Sequence, residues 1–165
     1  MTLTQEEMKV LQLVWEDSRI RPVDAAVMLG MTEEAVRAAI EKLESEKVIV
    51  GYPALINWDK TPVEKVKAVI EVKVTPQRDM GFDAIAARIY RFDEVKAVYL
   101  MSGAYDLAVF IEDKTLQQVS RFVSERISTF DGVLSTATHF ILKKYKIEGA
   151  LTEKEDVDYR LSIQA

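Results

Sequence analysis

Residues 23–52 read VDAAVMLGMTEEAVRAAIEKLESEKVIVGY and decide the N-terminal part of the fold. Gly30 divides this stretch at a position where helices commonly end in a left-handed residue, and Pro22 suits the first turn of the helix before it. Thr32 then predicts the N-cap of a second helix, whose apolar spacing continues to about Ser45. The stretch therefore predicts two helices joined by a short glycine turn.

Signals for one more helix and for a strand flank this pair. Thr4 and Glu7 form the pattern of a capping box, and the apolar residues after them keep a helical period as far as Asp17. On the other side, residues 47–52 are rich in β-branched side chains, which predicts a small wing strand. Two helices joined by a glycine-containing turn form a helix-turn-helix unit, whose second helix enters the DNA major groove. We therefore expect a winged helix-turn-helix domain of three helices over residues 1–52.

The hydrophobic period changes from 3.6 to 2 after residues 53–64, an arm too apolar for a free linker. Two amphipathic helical patterns separate four alternating stretches, which predict strands over about residues 65–74, 95–101, 105–111 and 133–142. The order β-α-β-β-α-β predicts an α+β, ferredoxin-like domain over residues 65–146: an antiparallel sheet with both helices on one face. Residues 147–165 form a C-terminal extension whose pattern fits either a helix or a strand.

The second face of this predicted sheet lacks a helix to cover it. That face would carry apolar side chains, including Val69 and Phe110, among polar ones. Since exposed apolar surface of this kind commonly marks an interface, we expect a dimer formed through this face.

The composition excludes many kinds of chemistry. The chain has 165 residues with no cysteine and one histidine, so thiolate catalysis, disulfides and motifs with two histidines are excluded. Its six glycines are never closer than 17 residues, which excludes a dinucleotide fingerprint and a P-loop. No apolar run approaches the ~20 residues that span a bilayer, and no signal-peptide pattern is present. We expect a cytoplasmic protein without cofactor, metal or membrane contact, and not an enzyme.

Three segments, taken in order, resemble the Lrp/AsnC family of feast/famine transcriptional regulators. They are residues 23–52, the turn Ser102-Gly103-Ala104-Tyr105-Asp106, and Gly132-Val133 followed by Thr136 and Thr138. The resemblance covers roughly residues 3–146. It implies a regulator that binds double-stranded DNA, dimerises through its second domain, in some members assembles into an octamer, and binds an amino acid where dimers meet.

The residue types of the turn suit such an effector. Backbone N–H groups around Gly103 can point at a carboxylate, and the Asp106 carboxylate can accept from an ammonium group. The candidate effector-binding residues are Met101, Ser102, Gly103, Ala104, Tyr105, Asp106, Thr136 and Thr138. The alternative is that the glycine and the aspartate only build a hairpin turn, and that the threonines are ordinary strand residues.

Candidate DNA contacts lie on the outward face of the predicted third helix and just before the second. Arg37 can hold a guanine bidentately, and Glu41 can accept from a cytosine amine. The candidate DNA-binding residues are Arg21, Thr32, Glu33, Arg37, Glu41 and Lys42. Residues 1–52 contain six Lys/Arg and ten Asp/Glu, so we expect weak binding by one dimer. The alternative is an ordinary helix surface on which Glu33 and Arg37 pair.

Two other functions stay open at this stage. The acidic N-terminal domain suits an oligomeric interaction module or co-regulator that does not bind DNA directly. An enzyme similar to the sirohaem decarboxylases, which resemble this family in fold, is a further alternative, although no acid/base pair is identifiable.

Overall fold

The computed structural model describes residues 2–75 and 81–153. The chain divides into two compact units, Met1–Ala54 and Leu55–Ala165, here called the head and the sheet domain. The division falls inside the predicted connecting arm. Among the described residues, no helix is long and apolar enough to cross a membrane.

The head contains the three predicted helices, α1 (Gln5–Glu16), α2 (Pro22–Leu29) and α3 (Glu33–Ser45). The capping box before α1 is complete: the Glu7 N–H donates to the Thr4 hydroxyl, and the Thr4 N–H donates to the Glu7 carboxylate. These helix starts are confirmed because capping needs only residues adjacent in sequence.

The core of the head lies where the three helices meet. Small residues permit the close approach of α2 and α3. Ala26 of α2 is buried, and its carbonyl accepts the N–H of Met31 at 3.0 Å. Gly30 ends α2 in the left-handed region, with φ +65°. The buried apolar residues are Val10, Val14, Ala25, Ala26, Val36, Ala39 and Leu43.

The predicted wing strand over residues 47–52 does not form, so the helix-turn-helix lacks a wing strand in the described head. Lys47 has a positive φ of 59°, and the N–H groups of Val48 and Ile49 both donate to the Leu43 carbonyl. These bonds end α3, and Ile49 then packs against the core of the head. A β-branched run becomes a strand only beside another strand, and the described head contains none.

The sheet domain confirms the predicted α+β order. Its strands pair antiparallel in the order β2-β3-β1-β4. The elements are β1 (Val66–Val74), α4 (Phe82–Ile89), β2 (Val95–Leu100), β3 (Leu107–Asp113), α5 (Leu116–Phe122) and β4 (Val133–Phe140). The second helix is not uniform as predicted, because a π-helical turn, Val123–Ile127, follows α5.

One face of this sheet packs against the helices. Alternate residues of β1, among them Ile70 and Val72, are fully buried. Phe92 meets Phe122 edge to face at 5.2 Å and stacks on Phe130 at 6.1 Å, which closes the core beside α5. The alternation of apolar and polar residues along β1 predicted this buried face, because successive strand residues point to opposite faces of a sheet.

The opposite face has no helix over it within the described chain, and we call it the open face. Val69 lies there between Phe110 of β3 and His139 of β4 in the strand register. Tyr99 packs edge to face on Phe110 at 5.6 Å, and His139 Nε2 lies 3.4 Å from a Glu71 carboxylate oxygen. The face is therefore mixed, with apolar side chains next to charged ones.

The connecting arm packs on the beginning of the C-terminal extension. A short 3₁₀ helix, Trp58–Lys60, interrupts the arm, and the Asn57 amide donates to the Thr152 carbonyl at 2.7 Å. The extension begins as a hairpin, β5 (Lys146–Ile147) and β6 (Ala150–Leu151). The choice between helix and strand is thus resolved as strand at its start, while residues 154–165 lie outside the described residues.

Replacing Gly30 tests the left-handed end of α2. We expect Gly30→Ala to lower the free energy of opening of the head by about 1 kcal/mol, because alanine is strained at this φ. Hydrogen exchange of the α2 and α3 amides measures this. Gly51→Ala is the matched control, since Gly51 has no positive φ and open space around it; an equal loss in both variants would contradict the explanation.

Candidate functional site

Arg21 precedes α2 and is held by the carboxylate of Asp24. Its Nε and Nη2 donate to the two carboxylate oxygens at 2.7 and 2.9 Å. The hydrogen bond with Arg21 lowers the pKa of Asp24, and the same bond raises the pKa of Arg21. The guanidinium is exposed, but two of the N–H groups with which it could hold a ligand already donate to the Asp24 carboxylate.

Arg37 is paired in the same manner on the outward face of α3. Its Nε and Nη2 donate to one Glu33 oxygen at 2.9 and 2.5 Å, one helical turn away. This is the ion pair of the alternative interpretation. Because both side chains are on the surface, the ion pair contributes little to stability. Arg37 can therefore exchange the Glu33 carboxylate for another anion.

Lys42 has a structural contact that the sequence did not predict. Its Nζ donates at 2.6 Å to Glu7 of α1, whose side chain is buried. The hydrogen bond with Lys42, followed by that with the Thr4 N–H, lowers the pKa of Glu7. The pair links α1 to α3, so a substitution of Lys42 changes the head as well as any ligand contact.

The three cations among the candidate DNA contacts are all paired within the head. Arg21, Arg37 and Lys42 each have a carboxylate partner within the head. The Thr32 hydroxyl accepts the Ala35 N–H as the N-cap of α3, which leaves its own proton free to donate. Glu41 is exposed. A phosphate or base that approached α3 would meet paired cations.

The candidate effector turn is fixed to β1 through Asp106. The Asp106 N–H donates to the Val72 carbonyl at 3.0 Å, and one Asp106 carboxylate oxygen accepts the Val74 N–H at 2.8 Å. The Met101 N–H donates to the Asp106 carbonyl at 2.8 Å and closes the turn. Asp106 thus has the structural role of the alternative interpretation, and its second carboxylate oxygen remains as an acceptor.

Four backbone N–H groups, those of residues 102–105, lie between these anchors. Within the described residues, those of 102–105 donate to no protein acceptor. Residues 101–104 are exposed, while Tyr105 is half-buried. A run of unpaired N–H groups next to a carboxylate can hold the carboxylate and the ammonium of one zwitterion.

The two candidate threonines are placed apart from the turn. Thr136 and Thr138 lie on β4 opposite Val72 and Ile70, on the helix-covered side of the sheet. The Thr136 hydroxyl is 3.0 Å from that of Ser128. Since β1 lies between β3 and β4, the threonines are about 10 Å across the sheet from the start of β3. Within one chain, β1 thus separates them from the turn.

Sequence reasoning missed the part of Val74 in this site. The Val74 N–H lies beyond the last pair of the β1–β3 register, Val72 with Leu107, and the Asp106 carboxylate accepts it in place of a strand partner. This contact joins two segments distant in sequence, so no local pattern marks it.

Comparison with known proteins shows which family the chain is similar to. The model of the Lrp/AsnC ligand-binding domain matches residues 67–151. The uncharacterized HTH-type transcriptional regulator YugG of Bacillus subtilis is 50% identical over 164 residues, or 99% of both chains. The proline dehydrogenase transcriptional activator of Rhizobium radiobacter is 23% identical, over 87% of this chain and 91% of its own length.

Solved structures show the same fold. A transcriptional regulator of Neisseria meningitidis in complex with L-Met has a TM-score of 0.69 at 22% identity, covering 91% of this chain and 96% of its own. AsnC of E. coli has a TM-score of 0.67 at 17% identity, covering 93% and 100%. At these identities the likeness concerns the fold alone.

Two substitutions of Asp106 separate its role in the turn from its charge. We expect Asp106→Ala to destabilise the sheet domain by about 1–3 kcal/mol, because the half-buried Val74 N–H loses its acceptor. Asp106→Asn keeps an acceptor oxygen and should lose less than about 1 kcal/mol. Hydrogen exchange at the Val74 amide, together with urea unfolding, measures both. Equal losses would show that the oxygen does not hold Val74.

Proposed function

Because the chain belongs to the Lrp/AsnC family of HTH-type transcriptional regulators, we propose that it binds double-stranded DNA through α3 and responds to an amino acid at the turn of residues 101–106. The names of its relatives indicate regulators and not enzymes, as the sequence predicted. The cytoplasm, where DNA is accessible, is the proposed place of action.

The observation that carries the DNA part is the exposed face of α3 with Arg37 at its centre. Arg37 is held by one surface carboxylate and can exchange Glu33 for a phosphate or a guanine edge. Arg21 can make the same exchange from the start of α2. Glu33 and Glu41 on the same helix repel phosphates, so a single head binds weakly and with a preference for base contacts.

Useful affinity then requires several heads on one DNA. The open face, with Val69, Phe110 and Tyr99 exposed in part, supports a dimer formed sheet to sheet. Further association, up to the octamer of some family members, would multiply the heads again. In such an assembly, once one head is bound, each further head binds at a high effective concentration. This raises the overall affinity for DNA, which the acidic surface keeps low for a single head.

The observation that carries the effector part is the turn of residues 101–106. The free N–H groups of 102–105 suit a carboxylate, and the open oxygen of Asp106 suits an ammonium. The threonines of β4 lie on another part of the sheet, so a complete pocket uses the turn of one chain and residues of a neighbouring copy. The Neisseria regulator bound L-Met, which supports an amino acid as the ligand class.

Removing the partner of Arg37 tests the DNA interface. We expect Glu33→Gln to bind the chain's own upstream DNA about three- to tenfold more tightly, because Arg37 no longer has to leave a carboxylate. Arg37→Ala should bind at least about tenfold more weakly.

The salt dependence gives a second measurement. For the unmodified dimer, the slope of the log binding constant against the log salt concentration should be about −3 to −4, and Glu33→Gln should steepen it by about 1–2. Fluorescence anisotropy at several KCl concentrations gives all these values.

Glu64→Gln is the matched control, since it makes the same charge change at an exposed position of the sheet domain. If both variants tighten binding equally, the affinity for DNA depends on net charge and not on the ion pair of Arg37.

The paired cations and the acidic head also favour a second candidate function, an interaction module without direct DNA binding. Failure of the unmodified chain and of Glu33→Gln to shift any upstream DNA would favour that module.

Calorimetry against the twenty amino acids tests the effector site. We expect heat of binding, and a raised melting temperature, with at least one of them. Asp106→Asn should weaken that binding at least about tenfold, because a charge-assisted contact to the ammonium is lost. Asp113→Asn, the same change at the other end of β3, is the control and should leave affinity unchanged. If no amino acid gives heat or a thermal shift, the effector proposal is wrong.

A further inference from the structure

A small cavity lies at the end of the sheet away from the effector turn. Its volume is about 40 Å³, and the 3₁₀ helix of the arm, the start of β1 and the segment after β4 surround it. Four lysines line it, together with apolar side chains that include Trp58: Lys65, Lys67, Lys143 and Lys144. We call it the lysine cavity. It lies within the sheet domain, and its residues are outside both candidate sites described above.

Two of the lysines share one carboxylate. Lys65 and Lys67 lie 2.6 and 2.8 Å from the two oxygens of Glu112 on β3, which is largely buried. Burial would raise the pKa of Glu112, but the hydrogen bonds from these lysines outweigh it and lower that pKa. The Lys65 ammonium also lies 3.8 Å from the centroid of the Trp58 ring. Each Glu112 oxygen thus already has one lysine as its partner.

Lys144 has no carboxylate partner among the described residues. Its half-buried side chain reaches Lys67, a group of like charge, and among the described residues no carboxylate is within ion-pair distance of it. Burial, followed by the contact with Lys67, lowers the pKa of Lys144 to about 8. Lys143 beside it is paired with Glu153 at 2.9 Å. The four lysines thus outnumber the described carboxylates around the cavity, Asp59, Glu112 and Glu153, by one.

We propose that the lysine cavity binds a small oxyanion, with Lys144 and Lys67 as its receptors and the face of Trp58 as part of its wall. A tetrahedral oxyanion or a carboxylate placed between the two ammonium groups replaces their repulsion with two charge-assisted contacts. Apolar neighbours strengthen these contacts because they exclude water. The cavity is partly open to solvent and admits inorganic phosphate, sulfate or the carboxylate end of a metabolite.

This site is separate from the proposed amino-acid site and does not depend on it. The cavity adjoins the beginning of β1, whereas Asp106 contacts Val72 and Val74 near its end. A nine-residue strand separates the two by about 25 Å.

Equilibrium dialysis with labelled sulfate tests the proposal on the full chain, at constant ionic strength set by chloride. We expect one sulfate per chain, bound in the millimolar range or more tightly. Lys144→Gln should weaken binding at least tenfold, whereas Lys144→Arg should retain it. Lys146→Gln is the matched control, because Lys146 lies on the same segment but does not line the cavity. Phosphate and acetate, as competitors, distinguish tetrahedral from planar oxyanions.

Tryptophan fluorescence locates the bound anion. In Trp15→Phe, which removes the exposed tryptophan of the head, the remaining emission comes from Trp58. Sulfate should change this emission with the same saturation as in dialysis, because it acts on the Lys65 ammonium above the ring. In Lys144→Gln the change should require at least tenfold more sulfate.

A pH series gives an independent measurement, since sulfate keeps its charge throughout. Lys144 loses its proton as the pH rises past about 8, so sulfate affinity should fall about tenfold between pH 7 and 9.5. The other titratable groups around it are Lys65, Lys67, Lys143, Asp59, Glu112 and Glu153. In Lys144→Gln the affinity should not change over this range. Absence of saturable binding by all three anions, or equal affinity in Lys144→Gln, overturns the proposal.

Discussion

The strand β1 positions the rest of the sheet domain, because it pairs with β3 on one side and β4 on the other while one of its faces is buried. Ile70 and Val72 fix which face meets the helices. The carbonyl of Val72 and the N–H of Val74 hold the effector turn through Asp106. At its other end, Lys67 brings the Glu112 carboxylate to the lysine cavity. A one-residue slip of β1 would remove the core and both sites together.

Local signals predicted most of the fold. The capping box of Thr4 and Glu7 and the period of 2 in β1 were confirmed, because each depends on residues close in sequence. The wing over residues 47–52 was wrong because strand formation depends on a neighbour, which the described head does not supply. The π-helical turn after α5 has no local signature either.

The candidate sites were predicted less completely, for the same physical reason. The pair of Glu33 and Arg37 was foreseen as an alternative because one helical turn joins them. The contact of Lys42 with Glu7 joins residues 35 positions apart, and that of Asp106 with Val74 joins residues 32 apart. Tertiary contacts of this kind decide whether a charged residue is available to a ligand, and sequence pattern does not reveal them.

The pairing of cations within the head has a consequence for recognition. A phosphate that takes Arg37 must displace Glu33, whose carboxylate is tethered one turn away, so the exchange yields little free energy. Sequence-independent attraction to DNA is therefore weak, since it depends on unpaired cations. A guanine edge offers Arg37 two acceptors, as a phosphate does, but only the base contact depends on the DNA sequence. The acidic surface thus lowers the affinity of a single head for all DNA, and in the proposed assembly several heads on one DNA would restore the affinity for correctly spaced sites.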